Sequence, residues 1–122
     1  MDDNTPQGRG KQAEKHACEF LQKQGFRLLE KNYSCRLGEL DLIMLQDTKL
    51  IFVEVKYRNK TQYGYASEAV DSRKQKKIIL SAQYFLQQHP HYSDMVCRFD
   101  VVSFTGLELQ PEWLRDAFSS TF

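Results

Sequence analysis

The sequence predicts an α/β fold in the order helix, three strands, helix, strand, and three observations carry that prediction. Apolar residues recur twice at helical spacing, at Ala13, Ala17, Phe20 and Leu21 and again at Ile78, Ile79, Ala82, Phe85 and Leu86. Between them, Leu40–Leu45 and Leu50–Val55 are short runs rich in residues that suit a pleated, half-buried surface. A later run, Met95–Phe104, alternates Phe99, Val101 and Ser103 on one face with Arg98, Asp100 and Val102 on the other.

Met1 to Gly10 contains Asn4, Pro6, Gly8 and Gly10 and reads as a flexible lead-in, which leaves residues 11–122 as a single domain. The first helix is expected from Lys11 to Gln24, with Gly25 in the position of a C-terminal cap. Phe26–Glu30 is a short strand candidate leading into a loop from Asn32 to Gly38. Gln46-Asp47-Thr48-Lys49 is polar and turn-like, so the next two strands are expected to form a hairpin. Asp71 or Ser72 can cap the second helix, which runs to about His89. His89-Pro90-His91 ends it and reads as a polar loop rather than a metal pair. In the last strand Asp100 is expected to anchor a basic neighbour or the sheet edge. Gly106 turns the chain, and the tail Pro111–Phe122, with Trp113, Leu114, Ala117 and Phe118, can close the core as a helical turn or dock a partner chain.

Composition narrows the function classes. The net charge is +1, so no global field favours nucleic acid and any such signal has to be local. Cys18, Cys35 and Cys97 are odd in number and form no CxxC pattern, which argues against a disulfide framework and a zinc site. No apolar run approaches the ~18 residues of a membrane span, and the N-terminus has no signal-peptide core. A reduced, cytoplasmic protein without a membrane partner is the expectation.

The hairpin carries the chemistry. With the turn centred between Asp47 and Thr48, Leu45 faces Leu50, Ile43 faces Phe52, Asp41 faces Glu54 and Glu39 faces Lys56. Two carboxylates set across from one another are destabilising, and more so beside apolar side chains. A hard divalent cation between them would relieve the repulsion, and Mg²⁺ typically takes one or two carboxylates plus water and phosphate. Lys56, on the same face as Glu54, can hold a water or offset charge on a phosphate. The same spacing also describes a solvated face with a cross-strand salt bridge, worth little.

The local charge lies just downstream. From Lys56 to Lys77 there are seven basic residues (Lys56, Arg58, Lys60, Arg73, Lys74, Lys76 and Lys77) against the two acids Glu68 and Asp71. Cations in the first turns of a helix oppose its macrodipole. A phosphate held there would explain them, although surface lysines on a helix are also common. The connection Tyr57–Val70 is long for a passive loop, and its Tyr63 and Tyr65 can stack on bases or pack as a hinge.

The element order, an acid on the first helix and the Glu-Leu-Asp and Glu-Val-Lys segments together resemble the PD-(D/E)xK nuclease fold of type II restriction enzymes and archaeal Holliday junction resolvases. More narrowly, the chain resembles the YraN family of small bacterial proteins. The matching segments are Gly10 with Glu14 and Ala17, Asn32-Tyr33, Gly38-Glu39-Leu40-Asp41-Leu42-Ile43 and Phe52-Val53-Glu54-Val55-Lys56-Tyr57-Arg58. They continue with Gly64, Ala69-Val70, Arg73-Lys74-Gln75, Arg98-Phe99-Asp100-Val101-Val102 and Asp116-Ala117-Phe118. The resemblance implies a restriction-endonuclease-like three-layer sandwich, a mixed sheet flanked by helices in the order α-β-β-β-α-β. It implies a Mg²⁺- or Mn²⁺-dependent endonuclease on DNA, of branched or damaged form, with Asp41 and Glu54 as metal ligands and Lys56 as the catalytic lysine. Glu14 joins the metal shell, directly or through water. Arg58, Arg73, Lys74, Gln75 and Lys77 would hold nucleic acid, Gln75 from a helix position facing the site. Related nucleases often work as homodimers. Two departures stand out: no proline precedes Glu-Leu-Asp, and an arginine often found after Asn32-Tyr33 is Ser34, which weakens phosphate contact on that side. The alternative is a catalytically silent nucleic-acid-binding or adaptor protein with the same fold.

Overall fold

The computed structural model describes residues 6–58, 70–105 and 111–119. They form α1 (Pro6–Lys23), β1 (Arg27–Cys35), β2 (Gly38–Gln46), β3 (Lys49–Arg58), α2 (Ser72–Gln88), a short 3-10 turn (Pro90–Tyr92), β4 (Val96–Thr105) and β5 (Glu112–Phe118). The strands make one mixed sheet in the order β1-β2-β3-β4-β5, antiparallel except for the parallel β3–β4 pair that α2 connects. Among the described residues no helix is long and apolar enough to cross a membrane.

The two apolar helix stripes bury opposite faces of the sheet. Ala13, Ala17, Cys18 and Leu21 of α1 pack with Leu42, Met44, Ile51, Val53 and Val102. Ile78, Ile79, Ala82 and Phe85 of α2 pack with Ile43, Leu50, Phe52, Phe99 and Val101. Period-2 alternation in β2, β3 and β4 divides those residues between the helices. Phe85 anchors the α2 side, with Tyr33 edge-on at 5.2 Å and the His89 ring stacked at 4.1 Å.

Local signals explain the ends. α1 closes in a Schellman motif: Gly25 N–H donates to Gln22 O (3.1 Å), Phe26 N–H donates to Leu21 O (3.0 Å), and Gly25 takes φ 94°. α2 opens on Asp71, whose carboxylate accepts from Lys74 N–H at 2.9 Å. The β2–β3 register is the expected one, with Leu45 on Leu50 and Ile43 on Phe52.

Three expectations change. α1 begins at Pro6, so five residues of the expected lead-in are helical; proline is well suited to a first helical position. β1 continues to Cys35 rather than opening into a loop at Asn32, because pairing with β2 holds it down to Cys35 opposite Gly38. The tail is a strand, not a helical turn. β5 pairs with β4 around a register shift at Asp100, and Trp113 packs edge-on against Phe20 (5.6 Å) and Phe26 (5.5 Å). Residues 59–69, with Tyr63, Tyr65 and Gly64, lie outside the described part of the chain, as do residues 106–110.

Candidate functional site: a carboxylate pair under the first turns of α2

The β2–β3 ladder runs from the turn as far as Leu42–Val53, and the two acids stand immediately beyond it. Val55 N–H donates to Asp41 Oδ2 at 2.8 Å, so a side chain takes up a backbone donor where the ladder stops. Asp41 and Glu54 point to the same side of the sheet and are hydrogen-bonded to each other through their carboxyl groups. The expected facing of Glu39 on Lys56 lies past the last rung. Glu39 pairs with Ser34 of β1 instead, and Lys56 Nζ sits 3.6 Å from Glu54 Oε1. Lys74 reaches down from α2 to the same oxygen at 3.0 Å.

Burial makes this pair unusual. Glu54 is only 7% exposed. Burial, then the neighbouring Glu54 charge, push Asp41 up to about 8, with the Val55 N–H pulling the other way and Glu14 adding to the rise. Glu54 is also raised by burial, opposed chiefly by Lys74. Near neutral pH Asp41 therefore favours its protonated form, while the two ammonium groups beside Glu54 favour that carboxyl's ionised form.

A cleft of about 220 Å³ opens over the pair, lined from Gly38 and Glu39 through Asp41 and Glu54 to Lys74 and Lys77. Gly38 has a backbone role here. Its φ is 154°, and a Cβ would stand 3.0 Å from Ser81 Oγ, so only glycine lets the β1–β2 turn lie this close to α2.

The structure places the remaining expected residues unevenly. Glu14 of α1 lies within the field of the pair; its carboxyl is raised by burial, held back by a hydrogen bond from the Asn32 side chain, and raised by Glu39 and Glu54. Among the described residues, however, no three His, Cys, Asp or Glu side chains gather closely enough to form a metal cluster. Gln75 does not line the cleft: its side-chain amide donates to Val70 O at 3.0 Å and braces the entry to α2. Arg73 is exposed at the start of α2 and does not line the cleft. Arg58 is the last residue of β3, and its side chain lies outside the described part. Asn32 was missed as a site residue. Its φ of 51° bends β1 at the position where its amide meets Glu14, and asparagine's tolerance of that conformation was the available signal.

Comparison with known proteins agrees with the narrower resemblance in the sequence, the one to a family of small bacterial proteins. A family model described as "Uncharacterised protein family UPF0102" matches residues 13–104, a span that contains Glu14, Asp41, Glu54, Lys56 and Lys74. A UPF0102 protein of Pseudomonas fluorescens is 48% identical over 120 residues, covering 98% of this chain and 100% of the relative. One of Stutzerimonas stutzeri is 50% identical over 116 residues, covering 93% and 97%. One of Pseudomonas syringae pv. tomato is 46% identical over 124 residues, covering 96% and 97%.

Proposed function

This chain belongs to the UPF0102 (YraN) family, and we propose that it is a divalent-metal-dependent nuclease of the PD-(D/E)xK type acting on DNA. One observation supports this reading above the others. Two acids on adjacent strands, Glu54 buried and Asp41 half-buried, share a cleft and a proton, with cations gathered on Glu54. That is the electrostatics of a site made for positive charge. Asp41 and Glu54 are the residues that would hold Mg²⁺ or Mn²⁺, and hard oxygen donors in a pair suit either ion. When bound, the ion would polarise the phosphodiester and lower the pKa of a water.

The chain's own residues supply the rest. Val55 N–H fixes the Asp41 carboxyl in the cleft. Glu54 tethers Lys56, keeping an ammonium beside the cleft, where it can orient a water or offset charge on phosphorus. Lys74 and Lys77 border the opening and can hold the phosphates on either side of the reacting bond. Glu14 adds negative field from the α1 side, which strengthens retention of a cation.

Purified chain mixed with labelled branched and duplex DNA and Mg²⁺ or Mn²⁺ is expected to cleave, and Asp41→Ala or Glu54→Ala to lose activity at least 100-fold. No cleavage by the wild type, or undiminished cleavage by both variants, overturns the proposal.

One observation favours the catalytically silent, nucleic-acid-binding alternative: two ammonium groups already neutralise Glu54. Under that reading Lys74→Ala and Lys77→Ala weaken DNA binding, divalent ions have no effect, and Asp41→Ala leaves binding intact. The adaptor version relied on a free tail. In the structure Trp113, Leu114 and Phe118 pack against the core instead.

A further inference from the structure

A second cleft, of about 320 Å³, is formed where the β1–β2 turn meets α2. It is lined by Arg36 and Leu37 of the β1–β2 turn and by Tyr84 of α2. Leu37 is 39% exposed and Tyr84 37%; among the described residues these are two of only three exposed large hydrophobics, and they stand together. Among the described residues neither Arg36 nor Lys77 forms an ion pair with an acid. The cleft thus offers one aromatic ring, one aliphatic wall and one guanidinium with no acid partner among the described residues. That set matches a nucleotide: a base stacks on the ring and rests on the aliphatic group, while its phosphate meets the arginine.

The two clefts are joined by α2. The helix contains no acid from Ser72 to Gln88, and Lys74, Lys77 and Tyr84 follow one another along the side that lines both clefts. Lys77 to Tyr84 is seven residues, about 10 Å of helix at 1.5 Å per residue. That length corresponds to about three stacked nucleotides at 3.4 Å each. A base buried in a Watson–Crick stack cannot present its face to Tyr84, so the strand entering the second cleft has to be unpaired there.

We infer that the Arg36–Leu37–Tyr84 cleft binds an unpaired base of the DNA strand, a few nucleotides from the phosphate at the carboxylate pair. The inference rests on the nuclease reading and narrows its substrate to DNA with a single-stranded segment next to a duplex.

The test is fluorescence anisotropy with Ca²⁺ in place of Mg²⁺, on a blunt duplex and on the same duplex with a short single-stranded tail. Both side chains are more than one third exposed, so their truncation should leave the fold intact, and thermal melting checks this. Tyr84→Ala and Leu37→Ala are expected to weaken binding of the tailed DNA about fivefold or more while changing blunt-duplex binding by less than about twofold. Tyr84→Phe, which keeps the aromatic face, should restore wild-type binding of the tailed DNA. Equal losses on both DNAs, or none on the tailed DNA, overturn the inference. The two proposals fail separately. A chain that cleaves but shows no Tyr84-dependent tail preference loses only the second cleft. One that shows the preference and never cleaves loses only the nuclease reading.

Discussion

Asp100 on β4 and the Asp41–Glu54 pair on β2 and β3 are acids of one sheet, Asp100 and Glu54 buried and Asp41 half-buried, and their surroundings differ in kind. Asp100 is fully buried and each of its oxygens accepts two hydrogen bonds. Oδ1 takes Arg98 Nε (2.8 Å) and Asp116 N–H (2.9 Å); Oδ2 takes Arg98 Nη2 (2.9 Å) and Trp113 Nε1 (3.0 Å). Such a carboxylate is satisfied from within the fold. It ties β5 to β4 at their register shift, with Asp116 at φ 51° turning its N–H inward. The pair on β2 and β3 has one backbone donor on Asp41, a shared proton, and two ammonium groups converging on a single oxygen of Glu54. It also opens to a cleft, which Asp100 does not line. A structural acid has its donors built in. The pair has replaceable ones, a proton and long flexible lysines, and replaceable partners are what a binding site needs.

The largest expected effect is at Asp100. Asp100→Ala strips the acceptor from the Arg98 guanidinium, the Trp113 indole N–H and the Asp116 N–H, and breaking a buried pair on one side typically costs about 3–5 kcal/mol. The urea midpoint should fall accordingly. Trp113 is the chain's single tryptophan, so a red shift in its emission should report β5 leaving the core. An unchanged midpoint would mean that Asp100 is not the anchor its contacts suggest.

Asp41 should respond with the opposite sign. Its folded-state pKa, raised from 3.8 to about 8, favours the protonated form. That contribution to stability is complete below the unfolded pKa near 4 and is lost as pH rises through about 8. Thermal melts of the metal-free chain are therefore expected to fall by several degrees between pH 5 and pH 9. Asp41→Asn should flatten this trend and be the more stable protein at the alkaline end. Millimolar Mg²⁺ should restore the wild type there and not the variant. Parallel pH profiles for the two proteins would remove the contrast with Asp100.

Much of this comparison was legible in the sequence. The helix stripes, the hairpin register and the Asp71 cap follow from periodicity and turn chemistry, which are local. The two acids were legible for the same reason, since a short hairpin leaves little freedom about which side chains face each other. Asp100 was read as an anchor, yet its partners Trp113 and Asp116 come from a segment expected to be a helical turn. Trp113, Leu114, Ala117 and Phe118 are spaced like a helix stripe, and only pairing with β4 decides that they form a strand. The length of β1 was hidden by Asn32 and Ser34, polar residues that read as loop until β2 supplies the hydrogen bonds. Lys74's contact with Glu54 bridges a helix and a strand about twenty positions apart, and no spacing rule predicts it.

That contact gives the smallest and sharpest test of the replaceable partners. Lys74 Nζ lies 3.0 Å from Glu54 Oε1 and Lys56 Nζ 3.6 Å, and the Lys74 side chain is 40% exposed. Water screens a pair of that exposure, so Lys74→Met should cost less than about 1 kcal/mol at pH 7. The sign of its pH dependence is fixed: Lys74 favours ionised Glu54, so the cost is present where Glu54 is charged and fades as acid protonates it. Added salt should shrink it as well. Lys56→Met, at the longer distance, should cost less still. The measurement is a set of thermal melts at pH 7 and pH 4, each at low and high salt. If Lys74→Met loses the same number of degrees in all four, the lysine acts through the packing of its stem, and its ammonium is not the exchangeable partner of Glu54.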